Sequence, residues 1–394
     1  MGNQSVDTFQ YLSLIQVNNT YGNGGYAFGG TSASGAAVTR IANPDIHWEV
    51  TAMTNVSLEA GFLNNKLNTT ITYFNKNTSD MLYSPPTVGT FGIVNIPSQN
   101  VGSMNNKGVE IEANYQGGNK LKFSVGANAS FIKNKVTHLD GEGSYIGSVL
   151  YGRSNQEISR TYQGQPIASF YGWKTNGLYQ TQADIDNDPA LKNDPRKANI
   201  KPGDVRFRDL DGNGLIDGND RTNLGNPNPN VTAGLQGSLS YKGFDLAANF
   251  TGVFGVSLYN ADRMQGIDPT YPFNMYASTL GRWTGPGTSN TIPRMSLDRA
   301  NDNYRTSDLF VESGNYFSLK NVTLGYTLPT VWSKKAAFSS VRLYASGQNV
   351  FIITKYSGYT PELGYNNGGN LQRGVDVAQY PAVRTITFGI SAKL

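Results

Sequence analysis

The sequence predicts an all-β protein whose antiparallel strands cross a membrane as part of a β-barrel. Three observations lead to this prediction. Segments with alternating apolar and polar residues recur along the chain, the connections between them are short and long in turn, and the charged residues in these segments stay on the polar face. Alternation with period two is typical of a strand with one apolar face.

The composition narrows the class of protein. Hydrophobic residues make up 38% of the 394 residues, which argues against a thick conventional core. Cysteine is absent, which excludes disulfides and thiolate metal sites. The net charge of +4 is spread without basic runs, so nothing indicates nucleic acid binding. No stretch approaches the ~18 apolar residues of a transmembrane helix. MGNQSVDTFQ lacks the features of a signal peptide, so we expect an exported protein to have its true start elsewhere.

The alternation is clearest at residues 230–254. In NVTAGLQGSLSY the apolar residues fall at odd positions, Leu235 and Leu239 among them, and polar residues such as Gln236 fall between. FDLAANFTGVF repeats the pattern after Lys242–Gly243. Two strands joined by two residues form a tight hairpin, so both strands would present one apolar face.

The same pattern predicts further strands. They lie at Phe9–Val17, 55–62, 67–74, 109–115, 121–131, 322–328, 341–351 and 385–394, with one more hairpin inside 156–182. Strands of about nine to eleven residues, when tilted, match the hydrocarbon thickness of a bilayer. We expect roughly twelve strands in total.

The connections alternate strictly in length. The long ones are 75–107, 132–229, 255–315 and 352–383, and the short ones include Pro329–Ser339. An outer-membrane barrel has short periplasmic turns and long extracellular loops, whereas a soluble β-sandwich, the alternative with one buried and one wet face, has no reason to separate them. The polar phase, which would face a water-filled lumen, carries Glu59, Glu110, Glu112, Lys122, Asp245, Arg342 and Lys393.

The segment 204–221, DVRFRDLDGNGLIDGNDR, has the ligand spacing of an EF-hand calcium loop. The predicted ligands are Asp209, Asp211, Asn213, the Leu215 carbonyl, Asp217 and Asp220. Gly214 would form the sharp turn, and Asp in place of Glu at the last position would weaken the site. A solvated turn without metal is the alternative, because Asp, Asn and Gly favour turns. We expect no long flanking helices and a bound Ca²⁺ that stiffens an extracellular segment.

Other candidate sites are few. His47 and His138 have no partner at ligand spacing, and no nucleophile–base pair is identifiable, so we expect no enzyme activity. The chain has four tryptophans, Trp48, Trp173, Trp283 and Trp332. We expect them to lie in the interfacial aromatic girdle and favour this over a role in stacking on sugars.

Several segments, in order, resemble the C-terminal half of SusC/RagA-type TonB-dependent transporters from the outer membrane of Bacteroidetes-like bacteria. Among them are MNNKGVEIEANY, GQPIASFYGWKTNGLYQ, GDVRFRDLDGNGLIDGNDRTNLGNPNPN, NYFSLKNVTLGYTLP and YPAVRTITFGISAKL. The resemblance implies that residues 1–394 are about the last half of a 22-stranded barrel, without the plug domain and the first barrel half. Leu394 ends the chain where such barrels more often end on an aromatic residue.

The resemblance also implies function and partners. It implies import of oligosaccharides or peptides across the outer membrane, together with a SusD-like surface lipoprotein and with TonB acting through the missing N-terminal part. One alternative is a calcium-stabilised surface adhesin or carbohydrate-binding β-protein. Another is a glycoside hydrolase, which needs two converging carboxylates. Both alternatives predict a protein that needs no detergent.

Overall fold

The computed structural model describes residues 11–18, 26–83, 98–140, 144–148, 150–152, 156–363 and 369–394. Phe9 and Gln10 of the first predicted strand lie outside the described residues. Of its remainder, residues 14–17 belong to β1 (Leu14–Asn18), which pairs antiparallel with β4 (Gly35–Arg40), whereas residues 11–13 are not in a strand. β2 (Tyr26–Phe28) pairs with β3 (Thr31–Ala33). Both pairs are separate from the large sheet.

One antiparallel sheet of nine strands dominates the structure. Its strands are β5 (Val50–Phe62), β6 (Leu67–Tyr83), β7 (Gln99–Gly117), β8 (Lys122–Leu139), β17 (Val231–Tyr241), β18 (Phe244–Phe254), β21 (Tyr316–Thr327), β22 (Ser340–Thr354) and β24 (Thr385–Lys393). Strands that follow one another along the chain are neighbours in the sheet, as in an up-and-down barrel. Within the described residues β5 and β24 form the two edges, so the sheet is an open part of a barrel wall. This confirms the predicted all-β antiparallel fold.

Three strands extend well beyond their predicted ends. β6, β7 and β8 contain 17, 19 and 18 residues, whereas the alternation marks only 67–74, 109–115 and 121–131. Hydrogen-bonded pairing continues beyond these ends, with Lys107 opposite Lys133 and Asn105 opposite Lys135. Both faces carry polar residues in the extensions. The apolar alternation therefore fades although the strands continue.

The strand register confirms the predicted faces. Val56, Tyr73, Val109, Phe131 and Val231 occupy one row across five strands. Directly opposed residues on paired strands point to the same face. Of these five, Val56, Tyr73 and Phe131 are large exposed hydrophobics, as lipid contact in a barrel requires.

The opposite face is polar along the same strands. Glu59 pairs with Thr70, Thr70 with Glu112, and Glu112 with Asn128. In the C-terminal half of the sheet, Gln236 pairs with Asn249. This face corresponds to the lumen of the barrel.

An ion pair spans three strands on the lumen face. Arg342 Nε on β22 donates to Asp245 Oδ1 on β18 at 2.9 Å, across Gly325 on the intervening β21. A Cβ atom at Gly325 would lie 2.5 Å from both of these atoms. Glycine at this position therefore leaves space for the ion pair.

The connections alternate in length as predicted. At one end of the sheet lie the short connections 63–66, 118–121, 242–243 and 328–339, the last of which contains α3 (Thr330–Lys335). At the other end lie 84–98, 140–230, 255–315 and 355–384. Lys242 and Gly243 have positive φ angles of 48° and 86°, as a tight two-residue hairpin turn requires. The long connections define the extracellular end.

The long connections form an extracellular layer with its own secondary structure. Its strands are β9 (Tyr145–Gly147), β10 (Leu150–Tyr151), β11 (Gln156–Glu157), β12 (Ser159–Tyr162), β13 (Ser169–Trp173), β14 (Thr175–Leu178), β15 (Val205–Phe207), β16 (Arg221–Gly225), β19 (Ser257–Asn260), β20 (Val311–Ser313) and β23 (Val375–Asp376). Its α-helices are α1 (Gln182–Asp186) and α2 (Ala261–Ile267). Its 3₁₀ turns are Pro189–Leu191, Lys197–Asn199, Gly218–Asp220, Ala277–Gly281, Asp308–Phe310 and Gly369–Gln372.

The hairpin predicted inside 156–182 belongs to this layer. It consists of β12 and β13, which pair in a four-stranded sheet with β9 and β16. The expectation of roughly twelve barrel strands is too high for the described chain, where nine form the large sheet. The two strands of this hairpin lie outside that sheet, and so does β1, which contains part of the predicted strand Phe9–Val17. Period-two alternation reports one buried face and does not distinguish lipid from a protein core.

The extracellular layer also contains the hydrophobic core that the composition argues against. Phe170, Tyr259 and Phe310 are fully buried in one cluster, while Ile185 and Val205 are buried in a second. The low hydrophobic fraction is an average over a barrel wall with a polar face and a layer that buries its own core. The average therefore conceals the core.

The tryptophans divide between two environments. Trp173 is buried in the second cluster and Trp283 packs against it, so the girdle prediction is wrong for these two. Trp48, before β5, and Trp332, in α3, are exposed near opposite ends of the sheet. Their positions agree with an interfacial girdle. Among the described residues, no helix combines the length and the apolar character that a membrane crossing requires.

Candidate functional site

The acidic loop joins β15 to β16 in the extracellular layer. No long helix flanks it, as predicted, and its last turn is the 3₁₀ segment Gly218–Asp220. Neighbouring segments hold it in place: Asn193 donates from its backbone N to the Gly214 carbonyl and from Nδ2 to the Asn213 carbonyl, both at 2.7 Å. Trp173 Nε1 donates to the Asp217 carbonyl at 2.7 Å. The loop is therefore tied to β13 and to the segment around Asn193.

Three of the predicted ligands converge. Asp209, Asp211 and Asp220 each place a carboxylate oxygen within 4.8 Å of the others. Two oxygens bound to one Ca²⁺ at about 2.3–2.6 Å can lie no more than about 5 Å apart. The spacing of the three carboxylates is therefore compatible with the binding of one Ca²⁺.

The other predicted ligands are engaged locally. Asn213 Oδ1 accepts a hydrogen bond from Leu215 N at 2.8 Å. Asp217 is outside the converging group, and its Oδ1 caps the last turn by accepting from Asn219 N at 2.7 Å. The structure thus brings together three of the four predicted carboxylate ligands.

Backbone N–H groups surround the carboxylates. Burial acts to raise the pKa of Asp209, but hydrogen bonds from the N–H groups of Gly214 and Gly212, both at 2.7 Å, lower it below its usual value. Asp220 is fully buried and accepts from Leu210 N at 2.7 Å and Asp217 N at 2.8 Å. These bonds keep Asp209 ionised and also satisfy a turn without metal.

Arginine side chains place positive charge close to the loop. Arg196 donates to the Ile216 carbonyl and, from Nε, to Asp194 Oδ1 at 2.8 Å. Burial acts to raise the pKa of Asp194, but the hydrogen bonds from Arg196 lower it. Burial lowers the pKa of Arg305 to about 10, while Asp302, Asp194 and Asp220 act to raise it. The guanidinium groups offset part of the negative charge of the loop.

A pocket of about 400 Å³ in the extracellular layer was not predicted from the sequence. It lies between α2 and Ser357–Tyr359, and its lining includes Asp262, Arg263 and Tyr276. Tyr276 donates to the Asp262 carboxylate, and the Tyr359 ring is 65% exposed. The pocket joins segments nearly one hundred residues apart, so no local pattern marks it.

Glu312 fixes the wall of this pocket. Its Oε1 accepts from Ser357 Oγ at 2.8 Å and from Asn260 Nδ2 at 3.1 Å, and it lies 3.6 Å from Arg263 Nη1. Its Oε2 accepts from Ser357 N at 2.8 Å. The Glu312 carboxylate therefore links the two long connections, 255–315 and 355–384, that form the pocket.

A second concave surface lies on the lumen face. It encloses about 460 Å³ and is lined largely by amide and hydroxyl side chains, including Asn68, Asn114, Gln116, Ser124, Gln236 and Asn249. Uncharged hydrogen-bonding groups of this kind suit a polar solute in water. The lumen wall is thus able to face a hydrated substrate.

The two histidines are exposed. His47 Nε2 lies 3.5 Å from Asp80 Oδ1, and His138 Nε2 lies 3.0 Å from Asp140 Oδ1. Neither belongs to the group of carboxylates found as a possible metal site among the described residues.

A sheet with a lipid-facing and a lumen-facing side, short turns at one end and a folded layer at the other, defines an integral outer-membrane β-barrel protein. The chain belongs to the TonB dependent receptor-like β-barrel family, whose model matches residues 11–214. It is accordingly a protein of the outer membrane.

Curated relatives match over the whole chain. TonB-dependent receptor P3 of Formosa agariphila is 31% identical over 400 residues, which cover 100% of this chain and 38% of that protein. TonB-dependent receptor SusC of Bacteroides thetaiotaomicron is 30% identical over 400 residues, covering 99% of this chain and 36% of that protein. The chain thus spans less than two fifths of the length of these relatives.

A solved structure of the RagAB peptide transporter has a similar fold. It superimposes with a TM-score of 0.76 at 22% sequence identity, covering 99% of this chain and 39% of that one. This likeness concerns the fold.

Proposed function

We propose that this chain is part of the barrel of a TonB-dependent importer that takes oligosaccharides or peptides across the outer membrane. The observation that carries the proposal is the combination of a lipid-facing sheet, a polar lumen wall and a folded extracellular layer with a pocket. SusC and the RagAB peptide transporter, which this chain resembles in sequence and in fold, support the same class. A SusD-like lipoprotein and TonB are the partners that this proposal includes.

The extracellular pocket is the part of the molecule where we expect substrate recognition. The Tyr359 ring offers a flat apolar face, while Asp262 and Arg263 offer hydrogen-bonding groups of opposite charge. Sugars stack on aromatic rings and hydrogen-bond to carboxylates, and a peptide backbone uses the same groups. An adhesin would account for such a pocket, but it would not require the exposed apolar face of the sheet.

The proposal is tested by uptake in cells that express the full-length transporter and its lipoprotein partner. We expect TonB-dependent accumulation of labelled oligosaccharides or peptides, with Tyr359→Ala raising the KM severalfold. Tyr380→Ala is the matched control, because Tyr380 is 82% exposed and lies outside the pocket lining. Uptake that persists without TonB, or equal effects of both substitutions, would contradict the proposal.

We further propose that Asp209, Asp211 and Asp220 bind one Ca²⁺ through their carboxylates. Asn213, the Leu215 carbonyl and Asp217 would complete the shell after small rearrangements of the loop. Convergence of three carboxylates supports this. The spacing of the donors favours Ca²⁺ over Mg²⁺, because Mg²⁺ demands a tight octahedral geometry and this loop wraps a larger ion. The loop connects β15 to β16 and accepts a hydrogen bond from Trp173, which belongs to the second core cluster. A bound ion would therefore stiffen this cluster.

A further inference from the structure

We propose that the outward face of β7 and β8 binds the phosphate groups of lipid A in the outer leaflet through Lys107, Lys133 and Lys135. The three lysines, here called the outer lysine patch, lie in the strand extensions that the apolar alternation does not mark. The proposal rests on the outer-membrane location of the chain and is independent of the transported substrate.

The register places the outer lysine patch on the lipid-facing side. Lys107 is directly opposite Lys133. This pair is the next outward-facing pair after Val109 and Phe131, two residues further along each strand. Lys135 follows two residues after Lys133 on the same face, opposite Asn105. All three lysines are exposed. They therefore point in the direction of Phe131 and away from the lumen.

The patch begins where the apolar band ends. On β8 the outward residues from Phe123 to Phe131 are Phe, Val, Ala, Ala and Phe, and the next two outward residues are Lys133 and Lys135. Nine residues correspond to one tilted crossing of the hydrocarbon. Because the extensions lie at the end of the long connections, the lysines meet the headgroup level of the outer leaflet.

The arrangement is unfavourable unless an anion is present. Like charges directly opposite one another in antiparallel strands destabilise the pairing. None of the ion pairs formed by described residues includes any of the three lysines. Their neighbours on the same face are amides: Asn105 Nδ2 donates to Asn75 Oδ1 and Asn77 Oδ1, both at 2.6 Å. A phosphate between the lysines would relieve the repulsion.

The opposite face of the same strands has a different role. Val136 is fully buried in a small cluster with Leu139 and Ile146, and Asn134 Oδ1 accepts from Ile167 N at 2.8 Å. The extracellular layer therefore covers the inner face at this height. Only the outward face is left for lipid, and its positive charge complements the anionic lipid surface.

The test uses the full-length transporter in detergent, titrated with diphosphorylated lipid A. Replacing Lys107, Lys133 and Lys135 by Gln should weaken binding about tenfold or more, because each lysine near an anionic surface contributes roughly fivefold. Dephosphorylated lipid A should bind the wild type and the triple variant equally. Lys76→Gln is the control: Lys76 is exposed on neighbouring β6 at a similar height, opposite Asn106 on the inner face.

A second variant distinguishes a loss of lipid A binding from a failure of the variant to fold. Lys133→Glu places a carboxylate opposite Lys107, which favours strand pairing, and it should still reduce binding of diphosphorylated lipid A severalfold. The proposal is overturned if both variants bind lipid A as the wild type does. It is equally overturned if Lys76→Gln reduces binding as much as the triple variant, or if the loss is the same for dephosphorylated lipid A.

Discussion

At the scale of single residues, the acidic loop shows how a local pattern becomes a specific geometry. The spacing of six oxygen donors is set by the chain, and of the four carboxylates among them Asp209, Asp211 and Asp220 converge in the folded loop. Backbone N–H groups and neighbouring side chains position the loop before any ion binds. A bound ion would then stabilise the layer according to its free concentration relative to its Kd.

We expect the double substitution Asp209→Ala and Asp211→Ala to abolish Ca²⁺ binding, because it removes two of the three converging carboxylates. Limited proteolysis of the full-length transporter, with calcium or with a chelator, is the measurement. Calcium should protect residues 190–229 in the wild type at millimolar concentration and should not protect them in the variant. Identical cleavage of the wild type in both conditions would mean that the loop is a metal-free turn.

At the scale of elements, the strands of the large sheet distinguish lipid from lumen by residue parity. Leu235 on β17 is directly opposite Phe250 on β18, and Gln236 is opposite Asn249. Leu235 is 42% exposed on the lipid face, an exposure that water would not favour for an apolar residue. Leu235 and Gln236 are adjacent in sequence, but Leu235 therefore faces lipid and Gln236 faces the hydrated lumen.

We expect Leu235→Arg to destabilise the full barrel by about 2–4 kcal/mol, because the charge would enter the hydrocarbon near its midplane. Gln236→Arg should be nearly neutral, because the lumen face is hydrated. Folding of the full-length transporter into lipid vesicles at increasing urea concentration measures both changes. Equal stability of the two variants would show that the faces are assigned wrongly.

At the scale of the whole molecule, the nine-stranded sheet is an open wall beneath a folded layer. Within the described residues, β5 and β24 have no second neighbour in the sheet. Unpaired N–H and C=O groups in hydrocarbon each cost several kcal/mol. The wall thus needs further strands before it is stable in a membrane.

We expect residues 1–394 expressed alone to aggregate or misassemble in place of forming a closed barrel. The measurements are mobility on a denaturing gel with and without heating, and size-exclusion chromatography in detergent. The full-length transporter, in which the edges can pair, serves as the control. A monodisperse, heat-modifiable product from residues 1–394 would contradict this expectation.

The sequence by itself determined what depends on local periodicity and spacing. The alternation around Leu235 and Gln236 assigned the strands and their faces, and the connection lengths assigned the two ends of the sheet. The six donors from Asp209 to Asp220 were visible because a calcium loop is a contiguous segment. These features are local, since each depends on residues that are close in the chain.

Only the tertiary structure decided the features that join distant segments. In the folded protein β7 and β8 continue beyond the apolar band, where polar residues on both faces leave no alternating pattern in the sequence. This continuation places Lys107 opposite Lys133. The tertiary structure also buried Trp173 in a core outside the membrane, and it joined α2 to Tyr359 in one pocket. Contacts between residues far apart in the chain depend on how the long connections fold over the sheet, which no single stretch of sequence specifies.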